Sequence, residues 1–154
     1  MEYKWIDNFI DGLIDVYGTK DIYELYDSLE ISIKKLPKCN ILLQGNEAFY
    51  NRNFFNREVV FIRDDLNIEY EKFILCHELG HAIIHTNIIT SAFSRSLLNL
   101  NKLEKQANYF ALKLMDLNMD EIAFEGFTIE QIANSFNLPV KCLKLLLDSK
   151  NQNI

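Results

Sequence analysis

His77 and His81 stand four residues apart with Glu78 directly after the first, in the run His77-Glu78-Leu79-Gly80-His81. On a helix of 3.6 residues per turn, positions four apart lie about 40° from one another on one face. Two imidazoles placed this way can reach a single tetrahedral Zn²⁺ at about 2.0–2.1 Å. Glu78 is turned away from direct coordination but can touch a water held at the ion. The chemistry implied is metal-assisted hydrolysis, in which the ion draws the water's pKa towards ~7 and the carboxylate takes its proton. A pattern with three fixed positions recurs in unrelated chains, so other residues must support it. Gly80 does, by leaving room for another element to approach, and all 3 histidines of the chain fall between positions 77 and 85.

A third ligand must come from a carboxylate or a cysteine, because no histidine lies outside this segment. Positions 84 and 87, where an extended three-histidine pattern needs Gly and His, hold Ile84 and Asn87. The downstream candidates are Glu104, Asp116, Asp120, Glu121, Glu125, Glu130 and Asp148. Glu104 differs from the rest in lying against a stripe of Leu100, Leu103, Ala107 and Ala111. A carboxylate on a buried face is costly unless it is paired or bound to metal; the alternative is a Glu at the stripe's edge reaching water or a Lys. Asn108, four residues on, could accept the free N–H of a ligand histidine, or could simply be solvated. His85 could line the cleft and steady an oxyanion, or cap the helix end; the cap is the preferred reading. Cys76 points about 100° from His77 and reads as a packing residue rather than a nucleophile.

The elements that must position these groups follow from periodicity. Trp5, Ile6, Phe9, Ile10, Leu13, Ile14 and Tyr17 recur at helical spacing, so the first 17 residues read as an amphipathic helix ended by Gly18. Thr19 or Asp21 can cap a second helix through Leu29. Between Ile31 and Ile62, the runs Ile31-Ser32-Ile33, Ile41-Leu42-Leu43, Ala48-Phe49-Tyr50 and Val59-Val60-Phe61-Ile62 read as strands. Gly45-Asn46 and Asn51-Arg52-Asn53 have turn composition. The expectation is a small, mostly antiparallel sheet of three or so strands. A helix over Ile68–His85, a polar segment Thr86–Ser96, a helix over Leu98–Met115 and a C-terminal helical pair, near Thr128–Phe136 and Val140–Leu147, complete an α+β pattern. Residues 1–150 are read as one domain and 151–154 as a disordered tail.

The formal net charge of −6 gives no general attraction for nucleic acid or anionic membrane. No signal-peptide pattern and no apolar run of the ~20 residues needed for a membrane span is present. Cys39, Cys76 and Cys142 are odd in number and widely spaced, which suits free thiols in a reducing cytoplasm. Ala133, Asn137 and Leu143 match the spacing of a helix-turn-helix. The second helix, however, offers Lys141 and Lys144 without the Arg, Asn or Gln that base reading needs, so the pair reads as structural or as a docking surface.

The run Phe73-Ile74-Leu75-Cys76-His77-Glu78-Leu79-Gly80-His81-Ala82-Ile83-Ile84-His85 resembles the zinc helix of the ImmA/IrrE metallopeptidase family. Glu104-Lys105-Gln106-Ala107-Asn108-Tyr109-Phe110-Ala111 is similar to that family's second signature, Glu-x-x-Ala-Asn-x-Phe-Ala. The likeness covers about residues 55 to 115. It implies a Glu-zincin fold and site, with His77, His81 and Glu104 as Zn²⁺ ligands and Glu78 as general base. It also implies a protein substrate, since members cleave, or promote cleavage of, helix-turn-helix repressors of phages, mobile elements or damage-response genes. A non-cleaving anti-repressor and a DNA-binding regulator are the alternatives. One departure is Lys113-Leu114-Met115-Asp116, where members often carry Leu-Leu-Met-Pro, and it bears only on the turn that follows. Tyr3, Tyr17, Tyr23, Tyr26, Tyr50, Tyr70 and Tyr109 include possible donors to a tetrahedral oxyanion, and spacing does not choose among them.

Overall fold

The structure, a computed structural model, describes residues 3–93, 101–117 and 124–144. Helix α1 runs Lys4–Tyr17 and buries Ile6, Ile10 and Leu13; Gly18 ends it in the left-handed region, φ 68°, its N–H donating to the Ile14 carbonyl. Trp5 and Phe9 lie on the exposed flank, so the apolar stripe is narrower than the periodicity implied. Asp21 caps α2 (Ile22–Ser28), its side chain accepting from the N–H groups of Tyr23 and Glu24. That satisfies two of the donors every helix start leaves open.

The sheet has four strands in the order β1-β3-β2-β4. β1 (Ile31–Leu36) pairs parallel with β3 (Arg57–Arg63); β2 (Ala48–Phe54) pairs antiparallel with both β3 and β4 (Thr90–Phe93). Three details differ from expectation. Ile41–Leu43 is a 3-10 turn, because the Asn40 side chain accepts from the Leu42 N–H and curls the chain. Asn51-Arg52-Asn53 lies within β2 and carries a register shift, while the reversal is made by Phe55 and Asn56, both at positive φ. Asn suits that conformation and Phe does not, so composition pointed to the wrong triplet. β4 falls within the segment read only as polar.

Helix α3 (Ile68–Ile84), capped by Asn67, is buried on nearly all sides, as its lack of a polar stripe demands. Its Glu71 is satisfied by Lys35 Nζ at 3.0 Å and by the Tyr23 hydroxyl, which ties α2 and β1 to the helix. α4 spans Lys102–Met115, with Asn101 as cap, and buries Ala107, Phe110, Ala111 and Leu114. Leu103 is exposed in its first turn, so the apolar stripe starts later than expected; Leu100 lies outside the described residues. Asp116 ends α4 at φ 49°, a conformation closed to the proline common at this position in the family it resembles. α5 (Ile129–Ser135) opens on a capping box of Thr128 and Gln131. Residues 140–144 are helical, and Ala133, Leu138, Cys142 and Leu143 join the main core. The expected continuation to Leu147 and the tail at 151–154 lie outside the described residues.

Two contacts fix α3. A Cβ built on Gly80 would sit 3.2 Å from Phe110 of α4, so glycine is what permits this close approach. At the other end Arg52 reaches from β2: its Nε donates to the Ile88 carbonyl at 2.8 Å and its Nη2 to those of Ala82 and His85 at 3.1 and 3.3 Å. A guanidinium there satisfies open carbonyls and complements the negative end of the helix dipole. Gly80→Val should destabilise the protein by about 1–3 kcal/mol through overpacking against Phe110. Arg52→Met should cost about 1.5–3 kcal/mol, the range for hydrogen bonds made by a charged group. Urea unfolding midpoints check both, and unchanged midpoints would contradict the packing and capping roles.

Candidate metal centre

α3 presents His77 and His81 from one side, their rings 4.9 Å apart and nearly perpendicular. The Gly80–Phe110 contact brings α4 across them and delivers Glu104. Glu104 Oε2 lies 3.2 Å from His77 Nε2, and Oε1 lies 3.0 Å from His81 Nε2. Ligands about 2.0–2.1 Å from a tetrahedral ion sit roughly 3.3 Å from one another. The three residues are therefore grouped closely enough to hold a single metal ion.

The hydrogen bonds around the site bear on whether a cation fits. Asn108 Oδ1 is 2.8 Å from His77 Nδ1. An amide oxygen only accepts, so His77 carries its proton on Nδ1 and turns a lone pair on Nε2 towards Glu104. Both Nε2 atoms are buried and lack a hydrogen-bond partner, although a carboxylate oxygen is within 3.2 Å of each. Lone pairs facing lone pairs are repulsive unless something positive lies between them. At His77, whose Nδ1 already carries a proton, a second proton would make a buried imidazolium; one divalent cation serves both nitrogens and the carboxylate at once. The donor set fits a metal ion.

His81 Nδ1 is 2.8 Å from His85 Nδ1, and His85 Nε2 is 2.9 Å from Gln106 Oε1. His85 does occupy the C-cap position of α3, but both ring nitrogens are engaged, so it is not free to steady an oxyanion. The hydroxyls of Tyr23, Tyr26, Tyr50 and Tyr109 are likewise committed, to Glu71, the Leu75 carbonyl, Glu58 and Asp7. Cys76 is a buried free thiol that burial pushes well up, as a packing residue should be.

Glu78 is completely buried, and neither carboxylate oxygen has a hydrogen-bond partner. Burial pushes its carboxyl up to about 8; a charge on His81 would oppose this, the Glu104 carboxylate adds to it, and the Ser91 hydroxyl of β4 faces it without completing a hydrogen bond. For Glu104, burial raises the carboxyl, and protons on the facing His77 and His81 Nε2 atoms would hold it well below the usual carboxylate range, a role that bare lone pairs there leave to a cation. The Glu104 side chain is 20% exposed whereas His77 and His81 are at 1% and 0%. Glu104 thus sits at the stripe's edge rather than on its buried face, and the centre opens to solvent on that side. β4 borders it too, Phe93 packing on the His77 ring at 5.0 Å.

Spacing identified neither Gln106 nor Ser91. A residue two positions beyond Glu104 points about 200° around a helix, so nothing in periodicity links Gln106 to the site. Ser91 belongs to a strand hidden in a polar segment.

The sequence matches the model of the peptidase family described as the IrrE N-terminal-like domain over residues 33–146. It is 33% identical over 143 residues to Metallopeptidase ImmA of Bacillus subtilis (strain 168), covering 88% of this chain and 80% of that protein. It is 30% identical over 154 residues to Uncharacterized immunity region protein 2 of Bacillus phage phi105, covering 97% and 94%. Family model, relatives and the grouped His-His-Glu residues agree: the chain belongs to the ImmA/IrrE family of metallopeptidases.

Proposed function

We propose that this metallopeptidase is a Glu-zincin endopeptidase, with His77, His81 and Glu104 holding Zn²⁺ and Glu78 as general base, and that its substrate is a helix-turn-helix repressor. The observation carrying the reading is the convergence of two imidazole lone pairs and one carboxylate beside a second, buried carboxylate with raised pKa. Two imidazole nitrogens and one carboxylate oxygen form a donor set favoured by zinc, and three protein ligands leave a coordination position open. Zn²⁺ bound there would supply Lewis acidity, making water easier to deprotonate and a peptide carbonyl easier to attack.

The protein's own groups do the rest. Glu78, buried beside the grouped ligands, is placed to take a proton from water and return it to the leaving amine. Asn108 orients His77. β4 pairs with β2 along one edge, and among the described residues no strand covers its other edge. An extended substrate segment laid there would run past the centre, held by main-chain hydrogen bonds. The repressor as substrate is supported by the relatives, one named a metallopeptidase and the other an immunity region protein of a phage. A cytoplasmic setting fits such a partner; among the described residues no helix is long and apolar enough to cross a membrane.

Glu78→Gln should keep its zinc and lose cleavage of the cognate repressor by about 10²–10⁴-fold, the usual weight of a general base. Metal analysis and mass spectrometry of the mixed proteins read both quantities. Undiminished cleavage would falsify the role of Glu78, and a stable complex without fragments in the wild type would favour sequestration. Zinc at 100 times its dissociation constant should stabilise the wild-type fold by about 2.7 kcal/mol. Glu104→Ala should lose most of that increment, so an equal zinc-induced shift in both proteins would remove Glu104 from the ligand set.

A further inference from the structure

The third histidine and an amide from α4 form a chain that ends at His81. Gln106 Oε1 lies 2.9 Å from His85 Nε2, and His85 Nδ1 lies 2.8 Å from His81 Nδ1. His85 and Gln106 are buried, at 7% and 6% exposure, so water is a poor substitute for either partner. The direction of the chain follows from its oxygen end. An amide oxygen cannot donate, so His85 carries its proton on Nε2. A neutral imidazole then has a bare Nδ1, which can only accept. His81 must supply the proton from its own Nδ1, which leaves the His81 Nε2 lone pair facing Glu104.

We propose that His85 and Gln106 are positioning residues that lock His81 in its Nδ1–H tautomer and thereby present His81 Nε2 to the metal; this rests on the reading of His81 as a ligand. The two ligand histidines are then held by different means. His77 is set in one step by Asn108, and His81 in two steps through the histidine at the C-cap of its own helix. Both chains begin on α4, which also carries Glu104, so one helix supplies a ligand and the tautomer control of the other two. Arg52 holds the His85 carbonyl at 3.3 Å, which fixes the backbone from which the relay ring projects. The opposite polarity, with the Gln106 amide donating, would place a proton on His81 Nε2 and close that position to a cation.

Zinc-loaded protein with ¹⁵N-labelled histidine gives the proton positions without any substitution. His85 should show a bare Nδ1 and a proton on Nε2, and His81 a proton on Nδ1; a proton on His85 Nδ1 would overturn the relay. Chelator competition gives the second readout. Gln106→Met and His85→Phe, which keep side-chain bulk, should each weaken zinc binding by on the order of 10–100-fold. The double variant should bind no worse than His85→Phe alone, because Gln106 acts only through His85. Unchanged affinity, or losses that simply add, would assign both residues to packing. The Glu104→Ala control separates the two ideas. If it bound zinc like the wild type, the ligand reading would fail, while the tautomers of the metal-free protein would still decide the relay.

Discussion

The approach of α4 to α3 at Gly80 sets how Glu104, Asn108 and Gln106 meet the histidines of α3. Without a side chain at Gly80, Phe110 packs within 3.2 Å of where a Cβ would be. That distance sets where Glu104 falls relative to His77 and His81, and it brings Asn108 and Gln106 to the backs of the histidine rings. The sheet supports α3 from another side, and Arg52 ties its C-terminal end to β2. Burial of α3 on nearly all sides is therefore a requirement of the site as well as a source of stability. A helix free to rotate by one residue would turn its histidines about 100° away from Glu104.

The electrostatics of the centre is arranged around acceptors. Two buried imidazole Nε2 atoms without hydrogen-bond partners, the Glu104 carboxylate and the unpartnered oxygens of Glu78 crowd a space largely withdrawn from water. Such a cluster is costly by itself, and a divalent cation resolves the cost for three of its members. Glu78 stays outside the grouped set, and burial pushes its carboxyl up.

Much of this was legible in the sequence, for identifiable reasons. Helical period placed His77 and His81 on one face, and the polar letter of Glu104 beside an apolar stripe marked it out, although its first-turn neighbour Leu103 proved exposed. Of the two caps read for the second helix, Asp21 is the one used, and the helix starts read at Ile68 and near Thr128 fall where the structure has them. The failures share a cause, which is that tertiary contacts overrode local composition. Phe55 turns in a left-handed conformation its side chain does not favour, and Ile41–Leu43 curls under the side chain of Asn40. β4 is a strand because β2 offers it a partner, and Gln106 reaches His85 from a helical angle unrelated to that of Glu104. His85 read as a cap in preference to a cleft residue; it occupies the cap position and also bonds to His81.

The most direct test of the central claim is X-ray absorption at the zinc edge of the purified, zinc-loaded protein, with the bound ion located by anomalous scattering in crystals. The account predicts one ion per chain, two imidazole nitrogens at about 2.0–2.1 Å, and a carboxylate oxygen at about 2.0–2.2 Å. The anomalous peak should lie between His77, His81 and Glu104. A peak elsewhere, a sulfur neighbour at about 2.3 Å, or a coordination shell lacking the two imidazoles would contradict it.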